Sequence, residues 1–516
     1  MTFEALQELV QLITLKKIKH LGDLSALMGK TMELYRCIAD KKVHSHKEAT
    51  LYLYGSIDYE KAYKKLCSRL EEKLIALSLL TVPDLPGAAK HTVDIYKLYK
   101  DFAAAEILYG KGARKASFEL MSNAHWRAVR YEVTWMSLES ANLIRRMLVR
   151  DQYERRTWRL YTSQYERLDV IRQREILAVK YYENMVDEYI ARQPDNQEIH
   201  QKALAYYAEL TPIRSNDTIL YLRNTYLIGI ISYMACEDYH KAIALCDELY
   251  DHLCKRKYAA RGDKYTALMQ KFYCNIQLKE LDGDAGELTA KRLLSHCVPG
   301  DPYWLAFMQY YFYYKTYTKD YAGALHIYRE ASSTLSFAKM ANLQREHWLL
   351  FAGYLHLLFI MEKIADSPFV NQGKDKFKLL SFMSAFKLFT LDRAGLSLPL
   401  HLFPYLYNIL VNAHEAHGFT IDALNQFKKR HTQSPVNTRT KYFIMLLLRL
   451  DDYRHNMFRK DKRVSRYIEA LNHTPAPLSG QSFRIEIIPY QDLWSLLVQH
   501  VLALQISRGR DISDLI

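Results

Sequence analysis

Glycine and proline are scarce in this chain, 18 and 13 among 516 residues. Both interrupt helices, glycine by its conformational freedom and proline by its missing N–H, so long intervals remain in which a helix has no reason to stop. The breakers gather in a few stretches: TVPDLPGAAKH (81–91), RQPDNQ (192–197), HCVPGDP (296–302), ADSPF (365–369) and HTPAPLSGQ (473–481). Alternation of apolar and polar residues with a period of two is nearly missing, which excludes a sheet-built domain. One candidate strand is left, FRIEIIPY at 483–490. The cysteines (Cys37, Cys67, Cys236, Cys246, Cys254, Cys274 and Cys297) are odd in number and without C-x-x-C spacing, so reduced, buried thiols are expected rather than a disulfide or zinc framework. The longest apolar run, YFIMLLLRL at 442–450, is too short to cross a bilayer. The opening MTFEALQELVQLITLKKIKHL carries Glu4 and Glu8 and lacks the order of a secretory leader, so a cytoplasmic location is the expectation.

What is present is an ordinary soluble composition, 49% hydrophobic and 25% charged, with a formal net charge of +14. Wholesale disorder is excluded, and a polyanion or an acidic protein becomes a partner to consider. Between the breakers the pattern is helical. In DYHKAIALCDELY, Tyr239, Ala242, Ile243, Cys246, Leu249 and Tyr250 fall on one face, while His240, Lys241, Asp247 and Glu248 face away. The breaks and composition suggest four regions: an N-terminal helical region (1–91), long helical hairpins (92–200), irregular repeats (201–475) and a C-terminal extension (476–516).

A beat recurs within the third region. Asp320-Tyr321 is followed by Ala324, Tyr328 and Ala331; Asp238-Tyr239 by Ala242, Cys246 and Leu249; and Ala290 by Leu294, Cys297 and then Pro302. A small residue with apolar ones four and seven positions on, and a later proline, resembles the second helix of a tetratricopeptide repeat. There the small residue admits a neighbouring helix and the proline ends its own. The first-helix signature of that family has loose counterparts in YLIGIISY (Tyr226, Gly229, Tyr233), in WLAFMQYY from Trp304 and in WLLFAGY from Trp348. Ala290 and Ala324 stand one family period apart, 34 residues, whereas Ala242 and Ala290 are 48 apart, so the array is irregular. Further copies are GFTIDALNQFKKR, with Ala423 and Phe427, and IDYEKAYKKLCSRL, with Asp58, Tyr59, Ala62 and Leu66. The segment 108–148 reads as a helix pair with Ala113, Ala116 and Ala124 as packing residues; with the first ~90 residues it is similar to uncharacterised bacterial repeat proteins. The resemblance implies an all-α, right-handed superhelical array of antiparallel helix pairs, acting as a non-enzymatic scaffold or adaptor with a peptide or helix in its groove.

No motif with catalytic geometry emerges. GDLSALMGKT (22–31) ends in Gly-Lys-Thr but has six residues between its glycines where a phosphate loop has four. Gly110 and Gly112 in YGKGARK read as a turn or a tight helix crossing, and HEAHG (414–418) spaces its histidines three apart where a zinc helix needs four. No catalytic, cofactor-binding or metal-ligating set is expected. An enzyme whose site is assembled from residues distant in sequence is the rival reading.

Two features stand out. Aromatic residues are abundant, 40 Tyr, 20 Phe and 6 Trp. In QYYFYYKTY, Tyr310, Tyr313, Tyr314 and Tyr317 share a helical face and leave Tyr311 as the ring freest to line a groove; Trp304 and Trp348 complete the candidate groove set. The second feature is basic: 426–466 holds twelve Lys and Arg against three Asp. Its Lys428, Lys429, Arg430, Arg459, Lys460, Lys462 and Arg463, interleaved with aromatics, could receive nucleic acid or an acidic partner. That supports a second alternative, a peptide-sensing regulator contacting nucleic acid. The helical reading is checked by far-ultraviolet circular dichroism: a strand content above ~10%, half the ordinary globular share, would refute it.

Overall fold

In the computed structural model the described residues are 1–13, 29–80, 90–151, 154–191, 196–214, 217–278, 285–338, 340, 342–369, 377–386, 398–411, 425–426, 428–429, 438–455, 462–473 and 486–507. Among them the secondary structure is helical, without a strand, and helices adjacent in sequence pack on one another. The chain forms two compact units, Met1–Gln173 and Arg174–Ile516.

The first unit has two cores. Helices α1 (Phe3–Leu12), α2 (Lys30–Ala39), α3 (His46–Tyr54) and α4 (Glu60–Leu80) enclose Leu6, Leu34, Tyr35, Leu70 and Leu74. Helices α5 (Lys90–Gly110), α6 (Arg114–Arg130), α7 (Thr134–Asp151) and the first half of α8 (Arg155–Ala191) enclose Leu98, Met121, Ala124 and Ile144. Ala113 and Ala116 are exposed; the buried stripe of α6 is Ser117, Met121, Ala124 and Ala128, so of the three alanines only Ala124 packs. The copy of the beat at Asp58 also departs from expectation. Ala62 and Tyr59 are exposed and the buried stripe is Tyr63, Leu66, Cys67 and Leu70, because α4 starts after a separate 3-10 turn, Ile57–Tyr59, that shifts its phase.

The second unit continues from α8 through α9 (Asn196–Leu210), α10 (Ile219–Ala235), α11 (Tyr239–Lys255), α12 (Arg261–Leu278), α13 (Ala285–Ser295), α14 (Pro302–Tyr317) and α15 (Tyr321–Ser332). After these come α16 (Leu335–Ala338), α17 (Asn342–Ile360), α18 (Leu379–Ser384), α19 (Leu398–Val411), α20 (Thr438–His455), α21 (Lys462–His473) and α22 (Tyr490–Ser507). Helices α10, α12, α14 and α17 begin at residues 219, 261, 302 and 342, intervals of 42, 41 and 40. Ion pairs tie successive members of this series: Arg174 to Asp217 just before α10 (2.9 Å), Arg223 of α10 to Asp263 of α12 (2.8 Å), and Arg261 of α12 to Asp301 at the cap of α14 (2.7 Å). Ala242, Ala290 and Ala324 are fully buried. Gly229 has a packing reason, since a Cβ there would lie 2.9 Å from both Leu245 and Tyr207.

Helix joints follow one geometry. Lys41, Glu132, Glu237, Lys319 and Glu362 have φ between 56° and 62°, the left-handed region, and Gly112 has φ 84°. In each joint the N–H of that residue donates three positions back and the next N–H donates five back, as in Glu237 to Met234 and Asp238 to Tyr233. This closes the helix by satisfying its last carbonyls. Asp238 and Asp320 then act again: their side chains accept from the backbone N–H of Lys241 and Gly323 and so cap the following helix.

The candidate strand is not one. Its described part, 486–490, is an irregular strap leading into α22. Glu486 is held by Arg439 through Nε–Oε1 (2.6 Å) and Nη2–Oε2 (3.1 Å), and Arg439 also donates to the Leu471 carbonyl and to Gln491. The Thr316 hydroxyl donates to the Ile487 carbonyl (2.6 Å), and Tyr490 stacks on Phe443 at 4.3 Å. Surrounded by helices, Ile487 and Ile488 are both buried and need no alternating pattern. Removing one partner of a buried ion pair strands the other, so Arg439→Met is expected to cost ~3–5 kcal/mol in urea unfolding, with Arg439→Met/Glu486→Leu recovering most of it. An unchanged midpoint in the single variant would show that the strap contributes nothing.

Candidate binding sites

Helix α14 is capped by Asp301, whose Oδ1 accepts from the Trp304 N–H at 2.6 Å, with Pro302 in its first turn. The indole of Trp304 is thereby turned into the core and is 1% exposed; Trp348 on α17 is equally buried, against Tyr328, Phe337 and Phe351. Neither ring lines an accessible groove, because these two helices are apolar on nearly every side and each indole fills space between helices. Tyr313 and Tyr317 are buried, as the shared face requires, and Tyr310 and Tyr314 are partly so.

Tyr311 remains partly exposed, but it is anchored. Its ring stacks on Phe307 (5.2 Å) and Tyr314 (6.3 Å), and its hydroxyl donates to Glu287 Oε2 at 2.7 Å. Lys315 bonds the same carboxylate and reaches Asp320 at 3.0 Å. Burial, then the bond to Glu287, pushes the phenol up from its ordinary value. The group is a clamp between α13 and α14, with one ring edge left at the surface.

Inside the same helices lies a polar network that composition did not reveal. The Gln309 amide donates to His347 Nδ1 (2.5 Å), which leaves the ring proton on Nε2 to be donated to the Tyr313 hydroxyl (2.8 Å). Burial lowers His347 to about 3. His356 on α17 bonds Ser367 at 2.8 Å, packs 4.4 Å from Phe377 and is lowered to about 4, also by burial. Both imidazoles are therefore neutral packing groups. Isolated histidines on apolar helices carry no sequence signal that separates them from catalytic ones.

The basic cluster divides. Arg439 is a core residue, paired with Glu486 as above, and leaves the cluster. Lys428 is partly exposed and Lys429 exposed; Arg430, Arg459 and Lys460 lie outside the described residues, as do HEAHG and the copy at Ala423 and Phe427. Lys462 and Arg463 are exposed in the first turn of α21, the end of a helix whose dipole disfavours cations. At the other Gly-Lys pair, Gly29 precedes α2 and Lys30 places its ammonium 3.9 Å above the Tyr54 ring; Gly110 and Gly112 form the joint between α5 and α6.

A further surface was not anticipated. Tyr96 and Tyr99 on α5 and Trp135 on α7 are each about 40% exposed, and Tyr99 stacks on Trp135 at 6.1 Å, with Phe102 beneath at 5.9 Å. The rings are neighbours only because α5 and α7 fold together, so their spacing in sequence gives no hint of a patch. Among the cysteines, five are buried and free, and Cys236 and Cys254 are free and exposed, contrary to the expectation that all seven are buried.

Protein-family models, curated proteins and solved structures were each compared with this chain, and none matches.

The buried imidazoles fix a pH response. A neutral histidine whose folded pKa lies below its unfolded value is protonated only on unfolding, so stability is full above pH ~6.5 and falls as pH drops toward about 4 for His356 and about 3 for His347. His347→Gln is expected to reduce the slope of stability against pH in that window by about 1.4 kcal/mol per unit. An identical slope in parent and variant would contradict a buried neutral ring.

Proposed function

We propose that the chain is a non-enzymatic scaffold, a solenoid of helix pairs that holds a peptide or helix of a protein partner. The repeating part of this reading is supported by inner helices that start 42, 41 and 40 residues apart, by the Arg–Asp pair linking each to the next, and by a glycine at the point of closest helix approach. The interval is longer than that of the tetratricopeptide family, which leaves that resemblance at the level of helix pairing. The observation that carries the binding function is the Tyr96, Tyr99 and Trp135 surface. Aromatic rings of this size, partly exposed and braced from below by Phe102, are the residue types that dominate the energy of protein interfaces. Tyr311 offers less free area because Glu287 and Lys315 already occupy its polar edge.

A second reading, contact with a polyanion, is favoured by Lys462 and Arg463, since cations that oppose their own helix dipole do not serve helix stability. The readings separate in one affinity-capture experiment under mild salt. For a protein scaffold, capture of a protein partner falls about thirtyfold or more in Tyr99→Ala/Trp135→Ala and is unchanged in Lys462→Glu/Arg463→Glu, a loss of ~2 kcal/mol being usual for a central aromatic. A nucleic-acid ligand that is lost in the charge-reversed protein and released by salt would favour the second reading. Equal capture by the parent and the aromatic variant would remove the basis for the first.

A further inference from the structure

A cavity of about 530 Å³ opens in the first unit between α3 and α4, within the size range of small-molecule sites. On the α4 side its wall is a stripe at helical spacing that includes Tyr63, Cys67 and Ser68; His46 and Thr50 of α3 face it, and Ile57 closes one end. Such a stripe usually carries only packing residues. Here it holds a nucleophile joined to a base. The Tyr63 hydroxyl lies 2.9 Å from His46 Nδ1 and also hydrogen-bonds the Cys67 thiol. A hydroxyl has one proton, so the arrangement that satisfies all three groups runs in one direction: thiol to phenol oxygen, phenol to imidazole. Both Tyr63 and Cys67 are nearly inaccessible to bulk water, yet both line the cavity.

We propose that this cavity captures small, largely apolar α,β-unsaturated carbonyl compounds as thioethers on Cys67, with Tyr63 and His46 relaying the thiol proton. This function is independent of the scaffold reading. The Cys67 sulfur bonds the β-carbon while the π pair of the C=C bond moves onto the α-carbon and carbonyl as an enolate. In the same step the thiol proton passes to the Tyr63 oxygen and the Tyr63 proton to His46 Nδ1. Returned along the same path, that proton ends on the α-carbon, so S–H has added across the double bond without oxidant or leaving group. The relay is needed because burial raises the Cys67 pKa and keeps its thiol protonated, so attack by a preformed thiolate is suppressed. An electrophile that expels a charged leaving group would have to release it into this enclosed space. An addition avoids that requirement.

Cys37 supplies an internal control. It is buried in the same core, its thiol donates to the Leu34 carbonyl at 3.1 Å, and it does not line the cavity. The full-length protein is treated with N-ethylmaleimide, itself an α,β-unsaturated carbonyl, and each cysteine is followed by peptide mass spectrometry; trans-2-hexenal then tests an aliphatic member of the class. Cys67 is expected to react at least tenfold faster than Cys37 and to gain one hexenal. Proton relays contribute about a hundredfold, so Tyr63→Phe, which keeps the ring, should slow Cys67 by roughly that factor while leaving the exposed Cys236 and Cys254 unchanged. Loosened packing would act in the opposite sense and speed Cys67 and Cys37 together. If Tyr63→Phe shows that loosening, His46→Gln decides by the same criterion. Cys67 reacting no faster than Cys37, or a variant with intact packing reacting as fast as the parent, would overturn the proposal.

Discussion

Antiparallel helices can follow each other along this chain because single residues at the joints accept a left-handed backbone. At Lys41, Glu132, Glu237, Lys319 and Glu362 that conformation places a Cβ near its own carbonyl, a cost of ~1–2 kcal/mol that glycine would avoid. The return is a joint in which the last carbonyls of one helix are satisfied within a few residues and the next helix starts at once. Where the following residue is Asp238 or Asp320, its N–H ends one helix and its carboxylate begins another. Everything downstream in the second unit, from the burial of Ala242 and Ala324 to the alignment of successive inner helices, depends on these turns being short and alike.

The inner helices are consumed by packing. In α10 none of the residues is exposed, and α14 and α17 show little more than their first turns, whereas α11 keeps a charged outer side. Phe312 stacks on Phe351 at 4.1 Å and Tyr313 meets His347 in the layer between α14 and α17. The aromatic excess of the sequence is therefore chiefly a means of filling interhelical space with large rings whose polar tips find partners. Recognition is left to rings that the fold carries to its surface, as on α5 and α7, and chemistry to the one stripe of α4 that borders empty volume.

Legibility tracked the range of the interaction. Local signals read well: Asp301-Pro302 opens α14, the two Asp-Tyr beats open α11 and α15, and Gly229 marks a close approach. Joints closed by lysine or glutamate were invisible to a search for glycine and proline, since those side chains are ordinary helix formers and only the assembled pair forces their backbone over. Trp304 and Trp348 were misjudged because a signature tryptophan has the same letter whether it faces a groove or a core. Arg439 looked like one cation of a cluster; its role is set by Glu486, 47 residues further on. The trio of His46, Tyr63 and Cys67 spans two helices and has no fixed spacing by which a motif could be recognised.

The strap has a consequence for biosynthesis. Thr316 hydrogen-bonds a carbonyl 171 residues further along the chain, and the buried phenol of Tyr317 has Arg439 and Glu486 in its surroundings. Ribosomes add ~5–20 residues per second, so α14 emerges on the order of ten to thirty seconds before the residues that complete its environment. Throughout that interval an aromatic wall stands open on the nascent chain. Translation speed between α15 and α22, and any chaperone that shields such a wall, should therefore govern how much of this protein reaches its native state.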